Sequence, residues 1–134
     1  MALYEQIVMN GVEREYSDKD DYIGKKSRAR TWLAYDYEGN QYVGVSKEVT
    51  KHPIDEDDPF EGITAKEEVI ITNNIIRENI KEGNLSVGTS IKTLYNLDGG
   101  GSAAFIYKGE RKNPYSPSTM YKERPIYGIF YWNW

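Results

Sequence analysis

Asp98-Gly99-Gly100-Gly101-Ser102 is the stretch of this chain with the clearest capacity for chemistry. Three consecutive glycines behind an apolar strand cost conformational entropy and add nothing to a core. Such a turn is useful where backbone must approach another group closely, and successive amides in that geometry form a nest for an anion. Ser102 adds a hydroxyl donor. Asp98 stands at the carboxyl end of the strand, where side chains project into a crevice. On chemistry alone the stretch is either a pocket for a phosphate or other oxyanion with one carboxylate at its edge, or a flexible tight turn after a strand-end aspartate. It is not a P-loop, because no Gly-Lys-Ser/Thr follows and no helix starts there.

The other reactive residue types offer little. There is no cysteine, which excludes disulfides, thiolate metal sites and a cysteine nucleophile. His52 is the single histidine, so a metal site built on several imidazoles cannot come from one chain. With Lys51 and Pro53 as neighbours, His52 reads as part of a surface turn. The acidic run Asp55-Glu56-Asp57-Asp58 has hard oxygen ligands but lacks the spacing, glycine and terminal glutamate of an EF-hand, so it reads as a solvated connection. A net charge of −4 argues against coating DNA or RNA, which requires a basic surface, and leaves room for one small anion in a locally positive pocket. No signal peptide or membrane span is visible. The expectation is a soluble, cytoplasmic protein.

These residues need a scaffold, and 134 residues with 39% hydrophobic content suit one domain, 1–134. Leu3 to Met9 and Val12 to Tyr16 alternate as strands about Asn10-Gly11, a strong hairpin signal. A charged loop, 17–27, leads to a second hairpin from Arg30 to Asp36 and from Gln41 to Lys47, turning at Glu38-Gly39-Asn40. Val49 to Gly62 reads as loop. Thr64 to Glu67 is a capping box, and Val69, Thr72, Ile76 and Ile80, with Ile71 and Ile75 alongside, predict one amphipathic helix over 65–82 with its isoleucines in the core. Gly83 supplies its stop. Strands follow from Ile91 to Leu97, from Ala103 to Lys108 and, after a proline-bearing loop, from Ile126 to Trp132. The fold class expected is α+β: a mainly antiparallel or mixed sheet of about seven strands with one long helix.

Leu94-Tyr95-Asn96-Leu97-Asp98-Gly99-Gly100-Gly101-Ser102, then a strand, Asn113-Pro114, and Glu123-Arg124-Pro125 before a last strand, resembles the carboxy-terminal signature of the phosphodiester glycosidase family. Upstream, Arg30-Thr31 before a strand, the Glu38-Gly39 turn and the capped helix after Gly62-Ile63-Thr64 are similar to that family's earlier landmarks. The likeness covers about residues 27–134 and is densest over 91–126.

The resemblance implies that Asp98 is the catalytic carboxylate. It implies that Arg30, Thr31, Arg124 and the backbone of Gly99, Gly100, Gly101 and Ser102 bind ligand. Physical chemistry agrees, since guanidinium groups take phosphodiester oxygens in bidentate fashion and backbone amides take them at no charge cost. Asp98 would work as acid or base at the anomeric carbon, or help hold a divalent cation; no cofactor is required by the residues themselves. The departures are specific. The family's asparagine-glycine-glycine-aromatic motif is absent, Ala103-Ala104 stand where the family has serine-threonine, and Trp32-Leu33 replace small residues.

Two functions remain open: an enzyme that hydrolyses a sugar- or nucleotide-linked phosphodiester, and a non-catalytic protein that sequesters one, in the manner of a phage scavenger of a host signal. A structural phage component with a decayed site is a third. The ligand in either of the first two is a small phosphodiester, with no nucleic-acid polymer and no membrane as partner. The aromatic tail (Tyr127, Phe130, Tyr131, Trp132, Trp134) exceeds what one strand face can bury, which points to a homo-oligomer.

Overall fold

A computed structural model of the chain describes residues 4–16, 26–97, 103–114 and 117. In chain order the elements are β1 (Tyr4–Met9), β2 (Val12–Glu13), β3 (Thr31–Asp36), β4 (Gln41–Val45), β5 (Val49–Thr50), β6 (Phe60–Glu61), α1 (Ala65–Lys81), β7 (Ile91–Leu97), β8 (Ile106–Tyr107) and β9 (Glu110–Arg111). Five strands form the main sheet in the order β2-β1-β7-β3-β4, with every neighbouring pair antiparallel. The pairs β5-β6 and β8-β9 are separate two-stranded ribbons. The α+β class is as expected, and among the described residues there is one helix, as expected. The described strands number nine in three sheets where about seven were expected, because two connections fold into ribbons.

Both early hairpins form. Asn10 and Gly11 take φ of 49° and 80°, the left-handed pair that a two-residue turn between β1 and β2 requires. β2 is shorter than its alternation predicts, and Tyr16 beyond it packs against the core instead of extending the ladder. The second turn is organised by Asp36, whose carboxylate accepts from the amides of Glu38 (2.9 Å) and Asn40 (3.0 Å), from the Asn40 side chain (2.8 Å) and from the Tyr42 hydroxyl (2.7 Å). Burial by itself pushes the Asp36 carboxyl up, but the four donors outweigh it and hold the group below its ordinary range.

The stretch 49–62 is a ribbon where a plain loop was expected. Its acidic run is folded back because Asp58 is held by both Arg28 and Lys51, the latter at 3.1 Å. The Lys51 amide then donates to Pro59 O at 2.8 Å, closing β5 on β6. Similarly, Ala103 to Lys108 is a strand only at Ile106–Tyr107. The Asn113 side chain takes the Phe105 amide (2.7 Å) and Ala103 O (2.8 Å), replacing the ladder bonds a longer strand would make. The expected strand over 126–132 and the aromatic tail lie outside the described residues.

The capping box holds: Glu67 N donates to the Thr64 hydroxyl at 3.2 Å and Thr64 N to Glu67 Oε1 at 3.1 Å. α1 crosses the sheet and turns Ala65, Glu68, Val69, Thr72 and Ile76 inward. That stripe corrects the expectation for the isoleucines. Ile76 is core and Ile71 and Ile80 flank it, while Ile70 and Ile75 are 51% and 45% exposed. The helix is rotated toward Glu68 and Thr72 because Thr72 is needed at the sheet: its hydroxyl accepts from Trp32 Nε1 at 3.0 Å and donates to Glu68 O at 2.8 Å. Ile7, Val8, Trp32, Ala34, Ile91 and Leu94 form the sheet side of the core.

Trp32 sits opposite Gly44 in the β3–β4 register, and a Cβ on Gly44 would fall inside the indole. Gly44→Ala is therefore expected to cost about 1–3 kcal/mol through overpacking, read as a lower urea midpoint with an unchanged slope. Asp36→Ala should cost roughly 2–4 kcal/mol at neutral pH, because four donors lose a charged acceptor. Since the folded-state carboxyl lies low, its contribution is complete above the ordinary carboxylate range and fades as pH falls through the lowered value. Asp36→Asn should flatten that acid limb of a stability-versus-pH curve.

Candidate functional site

β7 ends at Leu97, and the residues that follow it, Asp98 to Ser102, lie outside the described residues, as does Arg124. The end of the sheet that leads to them is well defined. Asn96 pairs with Trp32, so the outgoing end of β7 lies beside the incoming end of β3, just after Arg30. Arg30 thus lies beside the end of β7 that leads in sequence to the glycine motif.

Arg30 is completely buried. Its backbone continues the β3–β4 pairing, with its amide donating to the Ser46 hydroxyl at 2.9 Å and its carbonyl accepting from Ser46 N at 2.9 Å. Its guanidinium turns toward the helix side, where Nε donates to Ile63 O (3.1 Å) and Nη2 to Lys26 O (2.6 Å). The bridge between Arg28 and Ile63 fixes that position, since each residue's amide donates to the other's carbonyl, at 3.0 and 2.9 Å. Gly62 lets the two segments meet: a Cβ there would overlap the Arg28 backbone. Arg30 therefore ties the entry to β3 to the entry to α1.

Facing it from α1 is Glu68, also fully buried, with neither carboxylate oxygen hydrogen-bonded among the described residues. Burial drives the Glu68 carboxyl up to about 9, and the positive charge of Arg30 offsets only part of that. Asn96, on the helix side of β7, is 5% exposed and its Oδ1 likewise has no donor among the described residues. Tyr16 closes the group: its hydroxyl donates to Glu13 at 3.3 Å, and burial, then the charges of Glu13 and Glu68, raise its phenol well above the ordinary value. Buried oxygens without a donor, as at Glu68 and Asn96, are uncommon in a folded interior and concentrate at functional sites.

Of the expected ligand residues, Arg30 and Thr31 are described, and the strand separates them. Thr31 pairs with Val45 on the opposite face of the sheet from Trp32, and its buried hydroxyl has no partner among the described residues. That opposite face holds a shallow cleft of about 260 Å³ lined by Val43, Val45, Phe105, Lys112 and Asn113. Asn113, part of the motif pattern, acts there as the clamp of the β8–β9 ribbon. His52 is exposed in its turn.

Among the described residues no group of three or more acidic, histidine or cysteine side chains is arranged to hold a metal ion. Nor is any helix long and apolar enough to cross a membrane. Sequence reasoning missed Glu68. Its one signal was an acidic residue one turn before Thr72 on the stripe that also carries Val69 and Ile76.

No family model matches the chain, and comparison with characterised proteins and with solved structures likewise found no match.

The raised Glu68 carboxyl has a direct consequence for stability. Unfolding returns it to the ordinary value near 4.5, so the folded state holds the proton more tightly; the stability this contributes is complete below about 4.5 and is lost progressively as pH rises toward about 9. Glu68→Gln is expected to remove that decline and to be at least ~1 kcal/mol more stable than the parent at mildly alkaline pH, measured by urea unfolding across the range.

Proposed function

We propose that this chain is a phosphodiester-binding domain, a shortened relative of the phosphodiester glycosidases, whose ligand is a sugar- or nucleotide-linked phosphodiester. The anion is taken by the amides of Gly99 to Ser102 together with Arg30 and Arg124, and Asp98 stands at the reacting edge. The observation that carries this reading is the buried Arg30 guanidinium at the sheet end where β7 gives way to the Asp98-Gly-Gly-Gly-Ser102 stretch. A guanidinium withdrawn from water binds an anion far more strongly than an exposed one, because the local dielectric is low.

Binding without cutting is favoured over turnover by one further observation. Ala103, which stands where the family carries a hydroxyl, is buried, and its carbonyl is occupied by Asn113 and Arg111. Catalysis requires a complete oriented set of groups, whereas binding tolerates a partial one.

A thermal-shift and mass-spectrometric screen against nucleotide-sugars, cyclic nucleotides and glycosyl phosphates, with and without divalent cations, separates the outcomes. A stabilising ligand recovered intact makes this a binding protein; recovered cleaved, it makes it an enzyme. No stabilisation by any of them sinks the phosphodiester reading and leaves a structural component. Arg124→Ala is expected to weaken the ligand about 10- to 100-fold. If turnover is found, Asp98→Ala should abolish it and retain binding.

A further inference from the structure

The main sheet ends differently on its two sides. On one side β2 is two residues long, Val12–Glu13, and Arg14 and Glu15 follow at once. A short, charged border of this kind is how sheets avoid taking on further strands. On the other side β4 is five residues long, Gln41–Val45, with no charge and no proline. Its pairing with β3 runs without a bulge from Thr31↔Val45 to Tyr35↔Gln41.

The flanking hydrogen bonds show which backbone groups of β4 face outward. Ser46 N donates to Arg30 O, and Asn40 O accepts from Asp36 N, so the even-numbered residues from 40 to 46 turn their backbone toward β3. Val43 and Val45 therefore present N–H and C=O away from β3, and among the described residues no strand pairs with them there. The Val43 side chain is 41% exposed. A regular, uncharged row of outward amides and carbonyls is a template for one more strand.

We infer that β4 pairs with β4 of a second copy of this chain about a two-fold axis, joining the two main sheets into one. The strand is complementary to itself. An antiparallel copy turned about Gly44 sets Val43 opposite the partner's Val45 and Val45 opposite the partner's Val43, and each pair exchanges both of its backbone hydrogen bonds. The four valines then lie on one face, where β-branched side chains pack well against each other. Gly44 meets the partner's Gly44, so no side chain holds the strands apart on the other face. The nearest charges choose the direction, being Glu38 before the strand and Lys47 after it, both exposed. Antiparallel pairing carries each Lys47 toward the end of the partner that bears Glu38, whereas parallel pairing would set like charges side by side. The association is independent of the phosphodiester reading.

Sedimentation of the full chain from micromolar to near-millimolar concentration tests this. Wild type should move from 15.5 kDa toward twice that mass. Val43→Pro removes the outward N–H from both copies and no bond to β3. With its circular dichroism unchanged, it should raise the dimer dissociation constant at least about 10-fold. Val12→Lys, on the blunted edge, should leave that constant unchanged. Should V43P fail to fold, Val43→Lys is read in its place, since it keeps every ladder bond and puts a charge into the joint. A chain that stays monomeric throughout overturns the inference and leaves β4 as an edge for an extended segment of another protein. A dimer that survives substitution at Val43, or that V12K dissolves, overturns it too, because the contact then lies elsewhere.

Discussion

The indole of Trp32 must lie flat over one strand and under one helix at once, and most of the architecture follows from that demand. It occupies the space that a Cβ at position 44 would fill, so the neighbouring strand carries glycine there. Its ring nitrogen is buried and requires an acceptor, which the Thr72 hydroxyl provides at 3.0 Å. That single bond sets the rotation of the helix about its axis. With Thr72 facing inward, helical periodicity brings Ala65, Glu68, Val69 and Ile76 inward too and leaves Ile70 and Ile75 on the outside.

The burial of Glu68 is thus a by-product of seating Trp32, and in isolation it is unfavourable. Replacing it by an apolar residue of similar size would relieve the strain on the core without loss of packing. A carboxyl held there against its solvation preference, beside a guanidinium equally withdrawn from water, is the kind of arrangement that stability alone does not select. Arg30 has a structural task as well, since its bonds to Lys26 O and Ile63 O join the approaches to β3 and α1. One side chain therefore couples the geometry of the fold to the electrostatics of the sheet end that leads into the glycine stretch.

Elements governed by local chemistry could be read directly from the residues. Asn10-Gly11 adopts left-handed φ whatever surrounds it, Thr64 and Glu67 satisfy each other across one helical turn, and alternation over Ile91 to Leu97 demands a strand with Leu94 and Asn96 on one side. These are interactions between residues a few positions apart, so a sequence window contains both partners. That an apolar strand runs into a glycine-rich stretch at Asp98 to Ser102 is legible in the same way.

What depends on partners distant in sequence had to come from the tertiary structure. Asp58 folds the acidic stretch back because Arg28, thirty residues earlier, lies across from it. Thr31, adjacent to Arg30 in sequence, is turned to the other face of the sheet by the two-residue period of the strand. Glu68 looked like one more solvated acid on a charged helix, and only the rotation imposed by Trp32, forty residues from Thr72, makes it a buried one. Periodicity states that a helix has an apolar face; which residues occupy that face is decided by the shape and hydrogen-bonding needs of the surface it meets.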